Sequence, residues 1–421
     1  MTNAIATDIA ASYDEIAHCN KCGFCQVACP VFRATGKETG VARGRLAMLR
    51  AIIEGRLDWS DEIEGPLYDC LLCGACTANC FPAIPTVDLL VNARTAYLAR
   101  VGRKPVHRLL FDHLLPYPQR LRWAARALAL GKNSGMADMA RALGLLRVFG
   151  RNLIQAHDLI AEMPARAFRQ TYKPGRYKGD GSGPDVGYFI GCGVDCMQTQ
   201  AGQATLTLLR RMSRSVTVMD NTCCGMPAWA YGDLSVARKL AAKNMAVLLS
   251  ADVDRIVTDC ASCAAFLKQS PNLFDTDDPR RQNAQSVAAR VTDMVERLAC
   301  SEVAPDQGNK KPRVTYHDPC HAVRGQGIKR APRDFLQSLA HLEYVELPEA
   351  DWCCGGAGSY ALENFALANK VLDRKMENVR KTGADVLITA CPACMIQLSY
   401  GVRKHRLSVV VRHISQMAVP S

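Results

Sequence analysis

The sequence has few aromatic residues and no long apolar run. Phe, Trp and Tyr make up 6% of its 421 residues, and no stretch of about 18 uncharged apolar residues occurs, so we expect no transmembrane helix. The segment MTNAIATDIAASYDE lacks the basic start and apolar core of a secretory signal. Basic patches interleaved with aromatic side chains, which suit single-stranded nucleic acid, are also missing. We therefore predict a cytoplasmic protein, or one peripheral to the inner face of the cell membrane, that binds no nucleic acid.

Short motifs for common redox cofactors are missing as well. No G-x-G-x-x-G occurs, and there is no flavin, nicotinamide or haem fingerprint, so we expect hydride transfer to take place in another protein. The stretch CCGGAGSYA resembles a dinucleotide loop only superficially. We expect its glycines to let the backbone approach a metal cluster.

Cysteine, in contrast, is abundant. The chain has 20 cysteines and is 48% hydrophobic, so it can bury a substantial core and divide into about two to four domains. Disulfide-stapled secreted proteins are smaller and richer in loops, so we predict metal sites in a reducing compartment. All but two of the cysteines fall into four patterned groups. Cys196 and Cys300 stand apart, and we expect them to be ordinary core or surface residues.

Two runs near the N-terminus, CNKCGFCQVACP and CLLCGACTANCFP, share the spacing C-x2-C-x2-C-x3-C. This is the ligand spacing of bacterial ferredoxins, in which the fourth cysteine of each run serves the other cluster. Zinc sites are the alternative, but zinc usually takes two C-x2-C pairs rather than triplets. We predict two [4Fe–4S] clusters with exchanged fourth ligands. The first would use Cys19, Cys22, Cys25 and Cys80, and the second Cys70, Cys73, Cys76 and Cys29.

The segments around these runs favour helices. Apolar residues recur at helical spacing between the runs, at Ala42, Leu46, Leu49, Ile53 and Leu57. The stretch DEIEGPLYDC favours a second, short helix. We therefore predict that residues 1–95 form a helical ferredoxin domain, with its clusters held between helices rather than under small hairpins.

Residues 96–183 carry no patterned cysteine and are predicted to form a helical connector. YLARVGRKPVHRLL and ALGLLRVFGRNLIQAHDLIAEM favour amphipathic basic helices, and TYKPGRYKGDGSGPD favours a linker. The basic faces are either simply solvated or a docking surface for an acidic partner or an anionic membrane face.

From residue 184 the chain repeats one cysteine pattern. Each copy has a single cysteine, then Cys-Cys-Gly, then C-x2-C. The first copy contains Cys192, Cys223, Cys224, Cys260 and Cys263, and the second contains Cys320, Cys353, Cys354, Cys391 and Cys394. The matched intervals predict an internal duplication with a period of about 130 residues. We place the two domains at residues 184–305 and 306–421.

Each cysteine group follows a β-rich segment. DVGYFIGC, SVTVMDNTCCG and VDRIVTDCASC are these segments in the first copy, and PRVTYHDPC, LEYVELPEADWCCG and ADVLITACPAC are their counterparts in the second. Helical segments lie between them, and this alternation predicts an α/β domain with a parallel sheet. Ligands collect beyond the carboxyl ends of such strands, so we expect the five cysteines of each copy to meet there. The predicted fold is thus multidomain, a helical ferredoxin domain followed by duplicated α/β domains.

These cysteine groups resemble the cysteine-rich CCG domains of the heterodisulfide reductase family. From residue 15 to 415 the chain is similar to the iron–sulfur subunits of bacterial glycolate oxidase, anaerobic glycerol-3-phosphate dehydrogenase and L-lactate oxidation complexes, most specifically in YHDPCH and CCGGAGSY. The resemblance implies one or two additional iron–sulfur clusters of a non-cubane [4Fe–4S] type. The first copy departs from the pattern because it continues as CCGMPAWAYGD. We therefore expect the two copies to differ in cluster content or substrate access.

Several charged or titratable residues lie near the second copy's first cysteine. His317 and His321 are the candidate catalytic residues, which would either donate protons to a substrate or hydrogen-bond a sulfide and tune its potential. Arg324 and Lys329 are expected to be solvated. The formal net charge of +12 falls to about +8 when two cubanes of about −2 each are counted, which suits an acidic partner.

These features favour an electron-transfer subunit. We hypothesise that an FAD-containing partner oxidises a 2-hydroxy acid of the glycolate or lactate type, and that this chain passes the electrons toward a quinone or other acceptor. The alternative is a heterodisulfide reductase-type catalytic subunit that cleaves a substrate disulfide at non-cubane clusters. A non-redox scaffold or metal store would leave the ferredoxin spacing unexplained.

Overall fold

A computed structural model describes residues 9–136, 139, 151–300 and 311–419 of the chain. Residues 9–101 form helices and no strand, as predicted for a helical ferredoxin domain. The α-helices are Tyr13–Ala17, Phe24–Ala28, Pro30–Thr35, Ala42–Ile53, Glu64–Tyr68, Ala75–Ala78 and Thr86–Val101, and 3-10 turns lie at Ile9–Ser12, Glu38–Gly40 and Asp61–Ile63. Both predicted helices between the cysteine runs are confirmed, although Leu57 lies beyond the end of Ala42–Ile53 and is exposed.

The connector is helical where it is described. Its helices are Pro105–Arg108, Pro118–Asn133, Arg151–Leu159 and Phe168–Thr171, with a π-helical turn at Leu109–Leu114. The first nine residues of the predicted basic helix ALGLLRVFGRNLIQAHDLIAEM lie outside the described residues. Among the described helices, none is long and apolar enough to cross a membrane.

The first cysteine-rich domain is built on a five-stranded sheet in the order β1-β3-β2-β4-β5. Its strands are β1 (Gly175–Lys178), β2 (Val186–Tyr188), β3 (Ser215–Val218), β4 (Arg255–Thr258) and β5 (Val291–Asp293). Its α-helices are Cys192–Cys196, Thr199–Met212, Met226–Tyr231, Leu234–Ser250, Ala261–Gln269, Pro279–Ala288 and Met294–Ala299, with a 3-10 turn at Ser270–Leu273. Strands β2 to β5 pair in parallel, and β1 is antiparallel to β3.

The second cysteine-rich domain repeats this arrangement with four strands. They are β6 (Arg313–Tyr316), β7 (Glu343–Tyr344), β8 (Val386–Thr389) and β9 (Val410–His413), all parallel, in the order β7-β6-β8-β9. The α-helices are Cys320–Gln326, Ala331–Ser338, Tyr360–Glu363, Phe365–Thr382 and Pro392–Lys404, with a 3-10 turn at Ile414–Met417. This order matches β3-β2-β4-β5 of the first domain, as expected from an internal duplication.

The six predicted strands are confirmed, and both sheets are parallel at their centres. In β2 every residue is buried, and in β6 the last three are, because helices cover both faces of a parallel sheet. One expectation was wrong: the predicted linker TYKPGRYKGDGSGPD contains strand β1, which closes the edge of the first sheet. Its side chains are largely exposed, so it carries little of the apolar alternation that marks a strand.

The three cysteine-bearing units pack against one another. Arg94 of the ferredoxin domain donates to the Ala230 carbonyl of the first cysteine-rich domain at 2.5 Å. The Tyr360 hydroxyl of the second cysteine-rich domain donates to the Asp69 carbonyl of the ferredoxin domain at 2.9 Å. The two sheets meet where the Ala261 backbone N–H donates to the Ala390 carbonyl at 3.0 Å. The second ferredoxin run and the cysteine loops of both cysteine-rich domains therefore meet around one central cavity.

Candidate iron–sulfur sites

The two ferredoxin runs have the same backbone shape. Lys21 and Gly23 in the first run and Leu72 and Gly74 in the second all have positive φ, between 50° and 90°. This left-handed conformation is uncommon for a non-glycine residue, so its recurrence at matched positions reflects a shared constraint. The turns place the three spaced cysteines of each run around one cavity.

The first ferredoxin cavity is lined by Cys19, Cys22, Cys25 and Cys80. The fourth cysteine thus comes from the other run, as the spacing predicts. Cys22 is exposed, while Cys19, Cys25 and Cys80 are partly buried. Cys76 lines this cavity too, so five cysteines surround it, one more than the four ligands of a [4Fe–4S] cluster.

The second ferredoxin cavity is lined by Cys70, Cys73, Cys76 and Cys29. Cys29 is buried, and burial raises the pKa of its thiol to about 11. Because a metal ligand must be a thiolate, binding of iron here would release the proton. Cys76 lines both ferredoxin cavities, so the two sites are neighbours.

A buried arginine also fits a cluster at the second ferredoxin cavity. Arg45 lines this cavity and is 2% exposed. Its Nε donates to the Pro66 carbonyl at 2.6 Å, but its Nη2 has no hydrogen-bond partner. An unpaired buried cation is costly, whereas a cluster with four thiolates carries a compensating negative charge.

The first pentad consists of Cys192, Cys223, Cys224, Cys260 and Cys263. These cysteines follow strands β2, β3 and β4, which are neighbours in the sheet. The Sγ atoms of Cys192 and Cys223 lie 4.0 Å apart. Hydrogen bonds from Cys223 and Cys263 lower the pKa of Cys224 to about 5.

The second pentad consists of Cys320, Cys353, Cys354, Cys391 and Cys394, which follow strands β6, β7 and β8. Hydrogen bonds from Cys353 and Cys394 hold the pKa of Cys354 well below its usual range. Cys354 is the counterpart of Cys224, so the lowered pKa recurs at this position, but the pKa of Cys391 is also lowered whereas that of its counterpart Cys260 is raised. The expectation that each set of cysteines meets at the strand carboxyl ends is therefore confirmed by the fold.

The glycine after each cysteine pair has a definite structural role. Gly225 and Gly355 have φ values of +112° and +84°. A Cβ at Gly355 would lie 2.6 Å from the Ala368 carbonyl oxygen, and one at Gly225 would lie 2.9 Å from Phe266. Only glycine gives the backbone this path without strain, which explains the Cys-Cys-Gly motif.

The two candidate histidines differ in their surroundings. His317 is 1% exposed, its ring lies within 4.8 Å of the sulfurs of Cys354 and Cys394, and its hydrogen bond to Cys354 helps to lower the pKa of that thiol. His321 is paired, since its Nδ1 lies 2.8 Å from the Ser262 hydroxyl, and burial lowers its pKa. Phe189 and Gly193 occupy the matching positions of the first copy, so the histidines distinguish the second pentad.

The pentads lie on either side of a central cavity of about 440 Å³. Sulfurs of both pentads line this cavity, together with His317, His321 and apolar side chains such as Trp229 and Ile396. The Ser262 hydroxyl from the first domain lies 3.5 Å from the Cys391 Sγ of the second. Cys260 and Cys391 are close enough to share a hydrogen bond. The two pentads are thus direct neighbours.

Some residues of the site were missed by sequence reasoning. Arg94 is buried beside the ferredoxin runs and donates to the Cys70 carbonyl at 2.7 Å, and Lys375 is fully buried near the second pentad. Arg324 was expected to be solvated but is mostly buried. It pairs with Asp351 and reaches the Cys73 carbonyl at 3.4 Å. Single basic residues carry no sequence signal of burial. Lys329 is exposed as expected, Cys196 is buried and Cys300 is exposed.

Models of known protein families match the same segments of the chain that form the separate units of the structure. Residues 15–84 match the 4Fe-4S dicluster domain, and residues 102–160 match the linker region of the glycolate oxidase iron-sulfur subunit. Residues 186–268 and 314–399 match the cysteine-rich domain. The fold and its sites thus define an iron–sulfur protein that joins a two-cluster ferredoxin domain to paired cysteine-rich domains.

Curated relatives narrow this class. The chain is 29% identical to the probable glycolate oxidase iron-sulfur subunit of Bacillus subtilis over 95% of this chain and 92% of that protein. It is 32% identical to lactate utilization protein A of Geobacillus thermodenitrificans over 55% of this chain and 97% of that protein. The chain therefore belongs to the family of the glycolate oxidase iron-sulfur subunit and lactate utilization protein A.

Two further likenesses are more distant. One of the subunits of the CoM/CoB fumarate reductase from Methanothermobacter marburgensis is 29% identical over 93% of this chain and 69% of that protein. The crystal structure of a hypothetical protein from Helicobacter pylori aligns with a TM-score of 0.51 and 9% sequence identity, over 99% of this chain and 75% of that protein's chain. At this identity the likeness shows the fold alone. At a coarse level, the relatives support an iron–sulfur electron-transfer role in an oxidoreductase with a partner dehydrogenase subunit.

Proposed function

We propose that this chain is the iron–sulfur electron-transfer subunit of a flavin-dependent dehydrogenase for 2-hydroxy acids of the glycolate or lactate type. Its partner would carry FAD and oxidise the substrate, and the electrons would go on to a quinone or other acceptor. The observation that carries this proposal is that the four cysteine sites lie in one uninterrupted row.

Shared or touching cysteines join each site to the next. Cys76 lines both ferredoxin cavities. Cys73 of the second ferredoxin cavity and Cys353 of the second pentad are close enough to hydrogen-bond. Cys391 of the second pentad and Cys260 of the first pentad are also close enough to hydrogen-bond. Because electron transfer slows steeply with distance, a row without gaps suits a relay.

The ligand sets of the proposed clusters follow from this geometry. The first and second [4Fe–4S] clusters would be held by the cysteines of the first and second ferredoxin cavities, and one or two further clusters by the pentads. When bound, such clusters supply one-electron redox chemistry, and a reduced flavin can pass its two electrons to them one at a time. The chain's part is to bury the sulfurs and to supply Arg45 and Lys375 as nearby cations.

The experiment is anaerobic purification with iron and sulfide counting and electron paramagnetic resonance. We expect about eight irons from the ferredoxin sites and about four or eight more from the pentads. Cys354→Ser should remove one pentad signal and leave the ferredoxin signals intact. Addition of glycolate or lactate to the complex with its flavoprotein should reduce the clusters. Colourless protein that contains zinc instead of iron would contradict the proposal.

A second function is favoured by one feature, the central cavity of about 440 Å³ between the pentads. A disulfide that entered it would meet sulfurs of both pentads, and one relative over 93% of the chain belongs to a CoM/CoB fumarate reductase. The two functions are separated by adding a disulfide to the isolated chain with reduced viologen dye and no flavoprotein. Disulfide-dependent oxidation of the dye would favour the reductase, and its absence would favour the electron-transfer subunit.

A further inference from the structure

We propose that the partner dehydrogenase docks on one face of the ferredoxin domain, formed by Lys21, Phe24, Val27 and Phe81. We refer to it as the first-run face. The inference rests on the proposed function, because it assigns a position to the flavin-containing subunit that the proposed function requires.

The internal symmetry of the ferredoxin domain indicates what this face does. In the second run, the equivalent face is occupied within the chain. A Cβ at Gly74 would lie 3.4 Å from Arg324, whose helix Cys320–Gln326 begins with a cysteine of the second pentad. Arg324 also donates to the Cys73 carbonyl at 3.4 Å. The second run thus uses this face to contact the next redox site along the row.

The first run covers Gly23 with Arg43, which would lie 3.1 Å from a Cβ there and donates to the Lys21 carbonyl at 3.2 Å, but it leaves larger apolar side chains in solvent. Phe24 and Val27 stand at the positions that Ala75 and Ala78 hold in the second run. Ala75 is 4% exposed whereas its counterpart Phe24 is 59% exposed. Ala78 and its counterpart Val27 are both exposed, but Val27 is the larger apolar side chain and is 66% exposed, and Phe81 is 86% exposed. Phe24 and Val27 lie one turn apart on the helix Phe24–Ala28, and Phe81 follows Cys80, which lines the same cavity as Phe24. Neighbouring exposed apolar groups mark interaction sites, and aromatic anchors dominate the energetics of protein interfaces.

The chemistry of the face favours a protein partner with an apolar contact and an acidic group. Lys21 is the only Lys, Arg, Asp or Glu in residues 18–29 and 74–84. The neighbouring Glu38 is already paired with Arg43 at 2.5 Å. An apolar centre with one free-standing cation therefore suits an acidic protein surface, and charge complementarity of this kind chiefly speeds association.

Access to the redox row points to the same face. Among the 18 patterned cysteines, Cys22 alone is exposed, and it lies within the first-run face between Lys21 and Phe24. The other patterned cysteines are partly or fully buried, and most of those of the pentads line the central cavity rather than the outer surface. A protein-bound flavin therefore comes nearest to the row at its first-run end.

The test measures how much flavin stays bound to the iron protein. The tagged chain is purified anaerobically from its native host, and the flavin-to-iron ratio is determined after gel filtration. We expect Val27→Glu to lower this ratio about tenfold, as for loss of an interface hot spot. Lys21→Glu should lower it a few-fold at low salt and less at high salt. The control is Trp123→Glu in the connector, because Trp123 is also 66% exposed.

Each outcome has a distinct meaning. A wild-type chain without flavin would overturn the proposed function itself, whereas normal flavin in both Val27→Glu and Lys21→Glu would overturn only the docking face. Loss of flavin in Trp123→Glu alone would place the partner on the connector and also overturn the inference. If Val27→Glu lost iron as well as flavin, the flavin-to-iron ratio of Lys21→Glu would decide between a disrupted cluster and a disrupted docking face.

Discussion

The exchange of the fourth cysteine between the two ferredoxin runs makes a prediction that separates two arrangements of the same eight ligands. Cys80 lines the first ferredoxin cavity, although it belongs to the second run, and Cys29 lines the second ferredoxin cavity. If each run instead bound its own cluster, Cys80 would serve Cys70 and its neighbours. The perturbation is Cys80→Ala, compared with alanine at one unambiguous ligand of each cavity, Cys22 or Cys70.

The magnitude follows from the ligand sets. Cys80→Ala leaves three of the four predicted ligands of the first cluster and all four of the second, so it should cost about four of the eight ferredoxin irons. It should therefore reproduce the spectrum of Cys22→Ala. Cys29→Ala should reproduce that of Cys70→Ala, because these two cysteines line one cavity.

The assay is iron counting and electron paramagnetic resonance of each variant, reduced stepwise under argon. The signals that remain in Cys22→Ala and Cys70→Ala define the two ferredoxin clusters separately. A Cys80→Ala spectrum that matched Cys70→Ala and not Cys22→Ala would refute the exchanged assignment. Equal loss of both signals would show that the two cavities do not assemble independently.

Two other predictions concern the second pentad. Gly355→Ala should destabilise the domain by about 2–4 kcal/mol and remove its cluster signal, because φ is +84° and the new Cβ would lie 2.6 Å from the Ala368 carbonyl oxygen. Gly358→Ala is the matched control, since φ is +65° but nothing lies within 4 Å, and it should cost about 1 kcal/mol in chemical denaturation with the signal kept. Burial lowers the pKa of Lys375 from 10.5 to about 8, so the lysine is charged below about pH 8 and neutral above it. Because a nearby positive charge favours the reduced cluster, the reduction potential of the second-pentad cluster should fall by up to about 59 mV per pH unit around this pH. In Lys375→Met the reduction potential of this cluster should be lower at pH 7 and should not change with pH in this range. If a redox titration of the variant still showed the pH dependence, a group other than Lys375 would be the one that loses the proton.

Much of the candidate site could be predicted from the sequence because its signals are local. The spacing of each ferredoxin run fixes which sulfurs turn toward one cavity, and the structure repeats the same positive-φ turn at Gly23 and Gly74. The β-rich segments before each cysteine group became strands for a similar reason, since apolar β-branched residues favour a buried parallel strand over a few residues. Strand β1 was missed because an exposed polar edge strand lacks that pattern.

The two ferredoxin spacings, the repeated cysteine pattern and the strands that precede it could be recognised in the sequence, since these depend on residues close in the chain or on a repeat within it. Three features became visible only when the chain was folded. The second pentad lies between the ferredoxin domain and the first pentad, and Arg324 joins the helix of Cys320 to the Cys73 loop. His321 of the second copy contacts Ser262 of the first. These contacts join residues 59 to 251 positions apart. They follow from how whole domains pack, and no local spacing or propensity encodes the packing of surfaces that distant in the chain.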